Sequence, residues 1–252
     1  QMNIGDHNGT TIFSKENHAE MWRPHTNMGF NPTPTNHYKS HFNAYGLGWG
    51  ISDMNGYVVF NHTGGLPGML SKTTIIPELN LGIVILTNTE PGGGAGFSAI
   101  TNTLLDKYLG LEDFGWVEKY ATRLQGRQES GDEVVDKVWK KVATTNDDQI
   151  KPENFVGMYK DNWFGNVEVL LQNDQLWMKC HRSPKLNGSM AFYNANTFAV
   201  KWEYQDMNAD AFAMFSLDEN GKAESIKMKG ISPNIDFSFD FQDLFLERIA
   251  DK

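Results

Sequence analysis

Residues 57–88 read YVVFNHTGGLPGMLSKTTIIPELNLGIVILTN. Three apolar runs are separated here by a glycine-rich string and a Pro-Glu-Leu-Asn turn. Tyr57–Thr63 and Leu70–Ile76 are rich in the β-branched and aromatic residues that suit strands, and Pro77–Asn80 turns the chain into the third run. Leu81–Asn88 is almost wholly apolar, the pattern of a strand buried on both faces. Gly64–Gly68 is expected to interrupt the ladder, because Pro67 has no N–H to donate. Upstream, Tyr45–Ser52 reads as a glycine-rich strand and Asp53-Met54-Asn55-Gly56 as its hairpin turn. Downstream, Gly92–Gly96 reads as a flexible loop and Phe97–Leu109 as an amphipathic helix stopped by Gly110. The stretch predicts an antiparallel meander closed by a helix.

Nearer the start, Asn8-Gly9 marks a turn. Ser14 is placed to cap a short helix over Lys15–Trp22, which Pro24 ends. Residues 24–43 hold three prolines among Asn, Thr and His and read as a loop. Beyond the meander, residues 111–150 are charge-rich. Val134, Val135, Val138, Trp139 and Val142 recur at helical spacing there and predict a helix over Gly131–Val142. Residues 154–249 alternate in short runs, with turn signals at Asn173-Asp174, Asn187-Gly188 and Glu219-Asn220-Gly221. Ile235–Phe245 sets Phe237, Phe239 and Phe241 on one face of a predicted strand. About eight short strands fit a small closed, lipocalin-like barrel or a sandwich. The expected fold class is α+β. It comprises a partial antiparallel sheet with flanking helices over 1–110, a helical connector over 111–150 and an all-β barrel over 151–252.

Composition narrows the function classes. The 252 residues carry 22 basic and 31 acidic side chains, a net charge of −9, which argues against a general nucleic-acid binder or a polybasic membrane anchor. Residues 1–110 carry 5 basic and 7 acidic groups and residues 111–252 carry 17 and 24, so the character changes near the predicted boundary. The longest apolar run, around Gly82–Leu86, falls far short of the about 20 residues that span a bilayer. Cys180 is the only cysteine, so neither an internal disulfide nor a cysteine-based zinc site can form, and nothing beside it marks an activated thiol. Position 1 is Gln, with no charged or apolar leader pattern after it, and a processed chain or fragment is expected.

The string with the most chemistry is His62-Thr63-Gly64-Gly65. A glycine pair lets a ligand approach the strand backbone, and the hydroxyl and imidazole add polar groups. On the residues alone, it also reads as a glycine-rich hairpin with a surface histidine. A family resemblance bears on that choice. Tyr45-Gly46-Leu47-Gly48-Trp49-Gly50, His62-Thr63-Gly64-Gly65-Leu66-Pro67-Gly68, Ile76-Pro77-Glu78 and Leu81–Asn88 together resemble the C-terminal half of the serine β-lactamase-related hydrolases. That family includes class C β-lactamases, penicillin-binding DD-peptidases, D-aminopeptidases and esterases. Phe155-Val156-Gly157-Met158-Tyr159 is similar to the opening of the family's accessory β-domain. The implied fold for 1–110 is part of a β-lactamase/transpeptidase-like domain.

The family's nucleophile motif, S-x-x-K, is absent, and so is Y-x-N. Ser232-Pro233-Asn234 matches S-x-N but follows the third motif instead of preceding it. The resemblance implies that His62-Thr63-Gly64 is the third motif, with His62 in the usual place of Lys. It implies that Gly65 N–H is an oxyanion donor, that Gly64 keeps the strand open, and that Thr63 hydrogen-bonds a substrate carboxylate or carbonyl. A histidine, with a reference pKa near 6.5, is only partly charged at neutral pH, which leaves room for peptide or ester substrates. The expected role is acyl transfer or hydrolysis of peptide, amide or ester substrates through a serine in a missing N-terminal part, with this chain alone inactive. The alternative is a non-catalytic ligand- or partner-binding module carried by the barrel. No cofactor, metal, nucleic acid or transmembrane segment is expected. A cut sheet exposes an edge, so a homodimer or association with an N-terminal fragment is expected. The resemblance implies a bacterial periplasmic or cell-surface setting.

Other strings have plainer readings. His37 and His41 are four apart, a metal-ligating spacing on a helix, but no Glu follows His37 and the Pro-rich surroundings favour a surface loop. Gly92–Gly96 lacks the Gly-Lys-Ser/Thr of a phosphate loop. Asn8-Gly9-Thr10, Asn61-His62-Thr63 and Asn187-Gly188-Ser189 are short sequon matches. Trp163, Trp177 and Trp202 suit core or cleft-lining packing, although a barrel interior could hold a small apolar ligand.

Overall fold

A computed structural model describes residues 5–90, 92–145, 150–236 and 238–250. Its contacts divide the chain into two units, Gln1–Gln125 and Gly126–Lys252, with the division inside a long helix. The first unit opens with β1 (Asp6–His7) and β2 (Thr10–Thr11), a hairpin whose Asn8 and Gly9 both have positive φ. Then α1 (Lys15–Met21) starts on the Ser14 hydroxyl, which accepts the Asn17 N–H at 3.2 Å. A 6-stranded antiparallel sheet follows in chain order: β3 (Thr26–Phe30), β4 (Phe42–Tyr45), β5 (Gly50–Met54), β6 (Tyr57–Leu66), β7 (Met69–Ile76) and β8 (Leu81–Thr87). Two helices come next, α2 (Gly92–Tyr108) and α3 (Trp116–Val142).

Strand alternation explains how β6 is held. Val59 and Phe60 point to opposite faces, and both are buried. Val59 packs with Ile76, Ile83 and Leu105 of α2. Phe60 packs with Ala44, Trp49, Ile51 and Ile75, and Trp22, just past α1, stacks on its ring at 4.0 Å. The middle of the sheet is therefore clad on both faces.

Several expectations change. The 24–43 loop contains β3, an exposed edge strand with a bulge between Asn27 and Gly29; no apolar alternation announces it. Tyr45–Ser52 is not one strand. A turn closed by Gly46 N–H to Trp49 O at 2.7 Å splits it into the end of β4 and the start of β5. The ladder does not break at Gly64. It runs on to Leu66, and Pro67-Gly68 form the two-residue turn, with Gly68 at φ 81°. Gly92–Gly96 is the start of α2, not a loop, and glycine is needed because a Cβ on Gly93 would lie 2.4 Å from Thr87 Oγ1. β8 is buried on one face only: Ile83 is covered, but Val84 is 65% and Leu86 77% exposed. The helix expected over Gly131–Val142 starts earlier, at Trp116.

A buried carboxylate ties the loop after β3 to both following helices. Asp106 of α2, 2% exposed, lies 2.9 Å from His37 Nε2 and accepts Trp116 Nε1–H at 2.7 Å. Tyr38 donates to Asn102 O at 3.1 Å, and Asn102 Nδ2 donates to Tyr120 Oη at 3.0 Å.

The second unit is a closed antiparallel barrel of β9 (Gly157–Asp161), β10 (Gly165–Gln172), β11 (Gln175–Cys180), β12 (Asn187–Asn194), β13 (Thr197–Trp202), β14 (Ala211–Leu217), β15 (Ala223–Gly230) and β16 (Phe245–Ala250). Each strand pairs with the next, and β16 pairs with β9. The interior is filled by Tyr159, Val167, Met178, Phe198, Phe215, Ile226 and Leu246. Trp202 is buried with them, and Trp163 stands 66% exposed at the rim. Arg248 latches the closing seam, donating to Val156 O at 2.7 Å, Asn154 O at 2.9 Å and Tyr159 Oη at 2.7 Å. Tyr159 in turn donates to Phe155 O at 2.7 Å. Gly157 leaves space for the guanidinium, since a Cβ there would meet Arg248 Nη1 at 2.4 Å.

Asn187-Gly188 is not a turn but the start of β12, with Gly188 opposite Trp202. Ile235–Phe245 is not a strand either. Ser232 Oγ accepts Asn234 N–H at 3.1 Å and Asp236 Oδ1 accepts Ser238 N–H at 2.9 Å, and these local bonds bend the segment. Phe239 is half-buried and Phe241 buried in that bend, and Phe237 lies outside the described residues.

Two predictions follow from these bonds. Asp106→Ala strips two half-buried donors of their acceptor and is expected to cost about 1–3 kcal/mol in urea unfolding; an unchanged midpoint contradicts the clamp. Burial raises the Asp161 carboxyl pKa, but N–H bonds from Phe164, Phe245 and Trp163 outweigh it and hold the group below the usual carboxylate range. A carboxyl depressed in the fold adds stability above its unfolded pKa near 3.9 and loses it as pH falls through the folded value. The urea midpoint is expected to fall below about pH 5, and Asp161→Asn to make that fall shallower.

Candidate functional site

β6 is flanked by two strands for only part of its length. It pairs with β5 from Tyr57 to Asn61, and with β7 from Phe60 to Leu66. Beyond Asn61, no strand among the described residues pairs with its β5-side edge. The direction of each backbone group follows from the hairpins. Met54–Tyr57 and Leu66–Met69 each flank a two-residue loop, so each is a pair that exchanges hydrogen bonds. Odd-numbered residues of β6 therefore address β5 and even-numbered ones β7. Thr63 and Gly65 fall past the last β5 partner, so their N–H and C=O groups face the free edge.

The four expected site residues are consecutive and all exposed on this segment. His62 Nε2 lies 2.8 Å from Tyr45 Oη, which fixes the ring on one nitrogen. Thr63 is opposite Lys72, Gly64 opposite Ser71 and Gly65 opposite Leu70. A Cβ on Gly64 would sit 2.8 Å from Ser71 Oγ, and one on Gly65 3.1 Å from Leu70 Cδ2, so the glycines leave room for these two side chains of β7.

Two further side chains join the site. Tyr45 is distant in sequence and nothing around it signals a partner for His62. Lys72 is half-buried, its ammonium 5.7 Å from the Phe97 ring centroid, and burial pushes its pKa down. Its place opposite Thr63 follows only from the register, which the Pro67-Gly68 turn sets.

The rival strings resolve into structural roles. His37 bonds to Asp106, while His41 Nδ1 lies 2.9 Å from Asp53 Oδ2; the two imidazoles serve different carboxylates. Burial raises the Asp53 pKa, but bonds from Phe42 N–H and from the His41 ring and N–H bring it below the usual range. Asn234 of the Ser-Pro-Asn string donates to Arg127 O at 2.7 Å in the second unit. Cys180 is buried, which pushes its thiol up to about 12.

Comparison with known proteins gives matches to parts of the chain. A family model described as Beta-lactamase matches residues 8–106, and one described as Domain of unknown function (DUF3471) matches residues 140–248. The chain is 32% identical over 80 residues to the unguisins hydrolase ungD of Aspergillus violaceofuscus (strain CBS 115571), covering 31% of this chain and 14% of that protein. Among solved structures, the octameric penicillin-binding protein homologue from Pyrococcus abyssi aligns over 94% of this chain and 42% of its own, at 16% identity and a TM-score of 0.35. SurE aligns over 94% of this chain and 43% of its own, at 11% identity and a TM-score of 0.31. The chain thus spans about one seventh of the length of the curated relative and less than half of these structures. Residues 8–106, which carry the His62–Gly65 string in β6, thus match the Beta-lactamase family, and a closed eight-stranded barrel follows them.

Proposed function

We propose that residues 57–66 form the substrate-binding edge strand of a serine acyl hydrolase acting on peptide, amide or ester bonds. The observation that carries this reading is the free edge, which presents Gly65 N–H and Thr63 C=O and N–H to an incoming substrate. An extended acyl group can add to that edge as a further strand, through main-chain bonds. Its carbonyl oxygen then accepts from Gly65 N–H, and the same donor holds the oxyanion as the tetrahedral intermediate forms. His62, anchored by Tyr45, stands beside the edge to bind or relay a proton. The serine nucleophile, its lysine and the second-motif residue belong to a part of the protein outside these 252 residues.

In this reading, residues 1–110 are part of the catalytic domain, 111–150 the helical connector and 151–252 the accessory barrel. The uncovered face of β6–β8, with Leu66, Met69, Val84 and Leu86 exposed, supports association with the upstream part of the hydrolase or, without it, with a second copy. The family resemblance supports a bacterial periplasmic or cell-surface setting.

The chain alone is expected to take no covalent label from a fluorophosphonate or a penicillin; labelling contradicts the assignment. In sedimentation it is expected to self-associate, and a well-behaved monomer counts against the proposed covering of that face. In the polypeptide that includes the upstream region, Gly65→Pro removes the oxyanion donor. It is expected to lower kcat by about 100–1000-fold. An unchanged kcat in a folded variant removes Gly65 from the mechanism.

A further inference from the structure

The barrel has an opening the hydrolase reading does not use. Its interior is filled, with Tyr159, Met178 and Trp202 almost fully buried, so space for a ligand lies at its end. A cavity of about 320 Å³ opens there, lined in part by Trp163, Phe164, Phe239 and Phe241, with Arg182 and Asp240 on the same lining. That volume is at the low end for small-molecule sites.

Three features of this cavity point to a ligand. Trp163 is 66% exposed, yet its backbone is fixed. Asp161 Oδ1 accepts Trp163 N–H at 2.7 Å and Phe164 N–H at 2.8 Å, and Asp161 Oδ2 accepts Phe245 N–H at 3.1 Å. Arg182 Nη1 donates to Trp163 O at 2.8 Å, so the turn that carries the indole is tied from both sides. A large apolar surface is thus held in water on a preset turn, which lowers the ordering cost of binding.

The second feature is the state of the two charges. Arg182 has that one hydrogen bond among the described residues, leaving most of its five N–H donors unused. Asp240 accepts Gln242 Nε2–H at 3.1 Å on Oδ1. No ion pair within 4.0 Å joins Arg182 and Asp240 among the described residues, although both line one cavity. The third feature is the aromatic floor beside them, where Phe239 and Phe241 lie 5.8 Å apart.

From a cation, an anion and an apolar floor in one small cavity, we propose that the barrel end binds a free α-amino acid with an aliphatic or aromatic side chain. The ligand's carboxylate pairs with the Arg182 guanidinium, its ammonium with the Asp240 carboxylate, and its side chain packs on Trp163, Phe164 and the Phe239–Phe241 pair. Nothing in this site depends on the sheet edge of the first unit or on a serine nucleophile.

The test uses the full chain and norleucine as the probe, with binding read by calorimetry and by tryptophan fluorescence. Norleucine is expected to bind saturably. Hexanoate, which lacks the ammonium, and pentylamine, which lacks the carboxylate, are each expected to bind at least about tenfold more weakly. Arg182→Gln is expected to abolish the preference for norleucine over pentylamine, and Asp240→Asn the preference over hexanoate. Asp240→Asn leaves the Trp163 turn untouched and keeps the test valid should Arg182→Gln disturb it. Trp163→Phe is expected to remove most of the fluorescence response while retaining heat. No saturable binding, equal binding of hexanoate and norleucine, or an Asp240→Asn variant with unaltered selectivity overturns the proposal.

Discussion

The first unit depends on β6, which is held hard at one end and left open at the other. Val59 and Phe60 are buried on opposite faces, so the strand cannot slip register without exposing both. The Asn55-Gly56 and Pro67-Gly68 turns fix the register at its two ends. With the register fixed, β5 runs out at Gly50, opposite Asn61, and the next two backbone positions of that parity have no strand to bond. A sheet normally hides such an edge. Here it carries two glycines and a threonine, which keep it low and polar enough for another backbone to lie against it.

The barrel depends on a different device. A closed sheet has no edges, but its last seam must find partners for strands from opposite ends of the segment. Arg248 does this by bonding to three backbone carbonyls or hydroxyls near residues 154–159 from the last strand. Phe155, Gly157 and Tyr159 thereby acquire separate jobs: a core ring, a space for the guanidinium, and a phenol that links the two. Among the described residues, β6 is left with an unpaired edge beyond Asn61 and the barrel with an exposed Trp163 at its rim.

Much of this was legible in the residues. Helix α1, the Asn8-Gly9, Asn55-Gly56 and Asn173-Asp174 turns, the order β6–β7–β8–α2 and a barrel of short strands all follow from capping, turn and alternation signals. The family resemblance singled out His62–Gly65, and the structure places all four exposed in β6. The failures have physical causes. β3 is exposed along its whole length, so it lacks the alternation by which strands are recognised. Leu81–Leu86 looks doubly buried because an apolar run records that a surface needs cover but not which residues supply it. Phe237, Phe239 and Phe241 alternate as in a strand, but Ser232 and Asp236 offer the backbone local bonds that a ladder would have to displace. The partnership of Tyr45 with His62 joins two strands and that of Trp163 with Arg182 joins two loops, and neither leaves a periodic trace.

The free edge can be read amide by amide. Hydrogen exchange of the folded chain, followed by NMR, distinguishes N–H groups bonded to β7 from those facing the open side. The account predicts slow exchange at His62 and Gly64 and fast exchange at Thr63 and Gly65 in the chain alone. Equal protection at all four, or protection of Thr63 and Gly65 above their neighbours, would show that the edge is already occupied and contradict the assignment of a substrate strand.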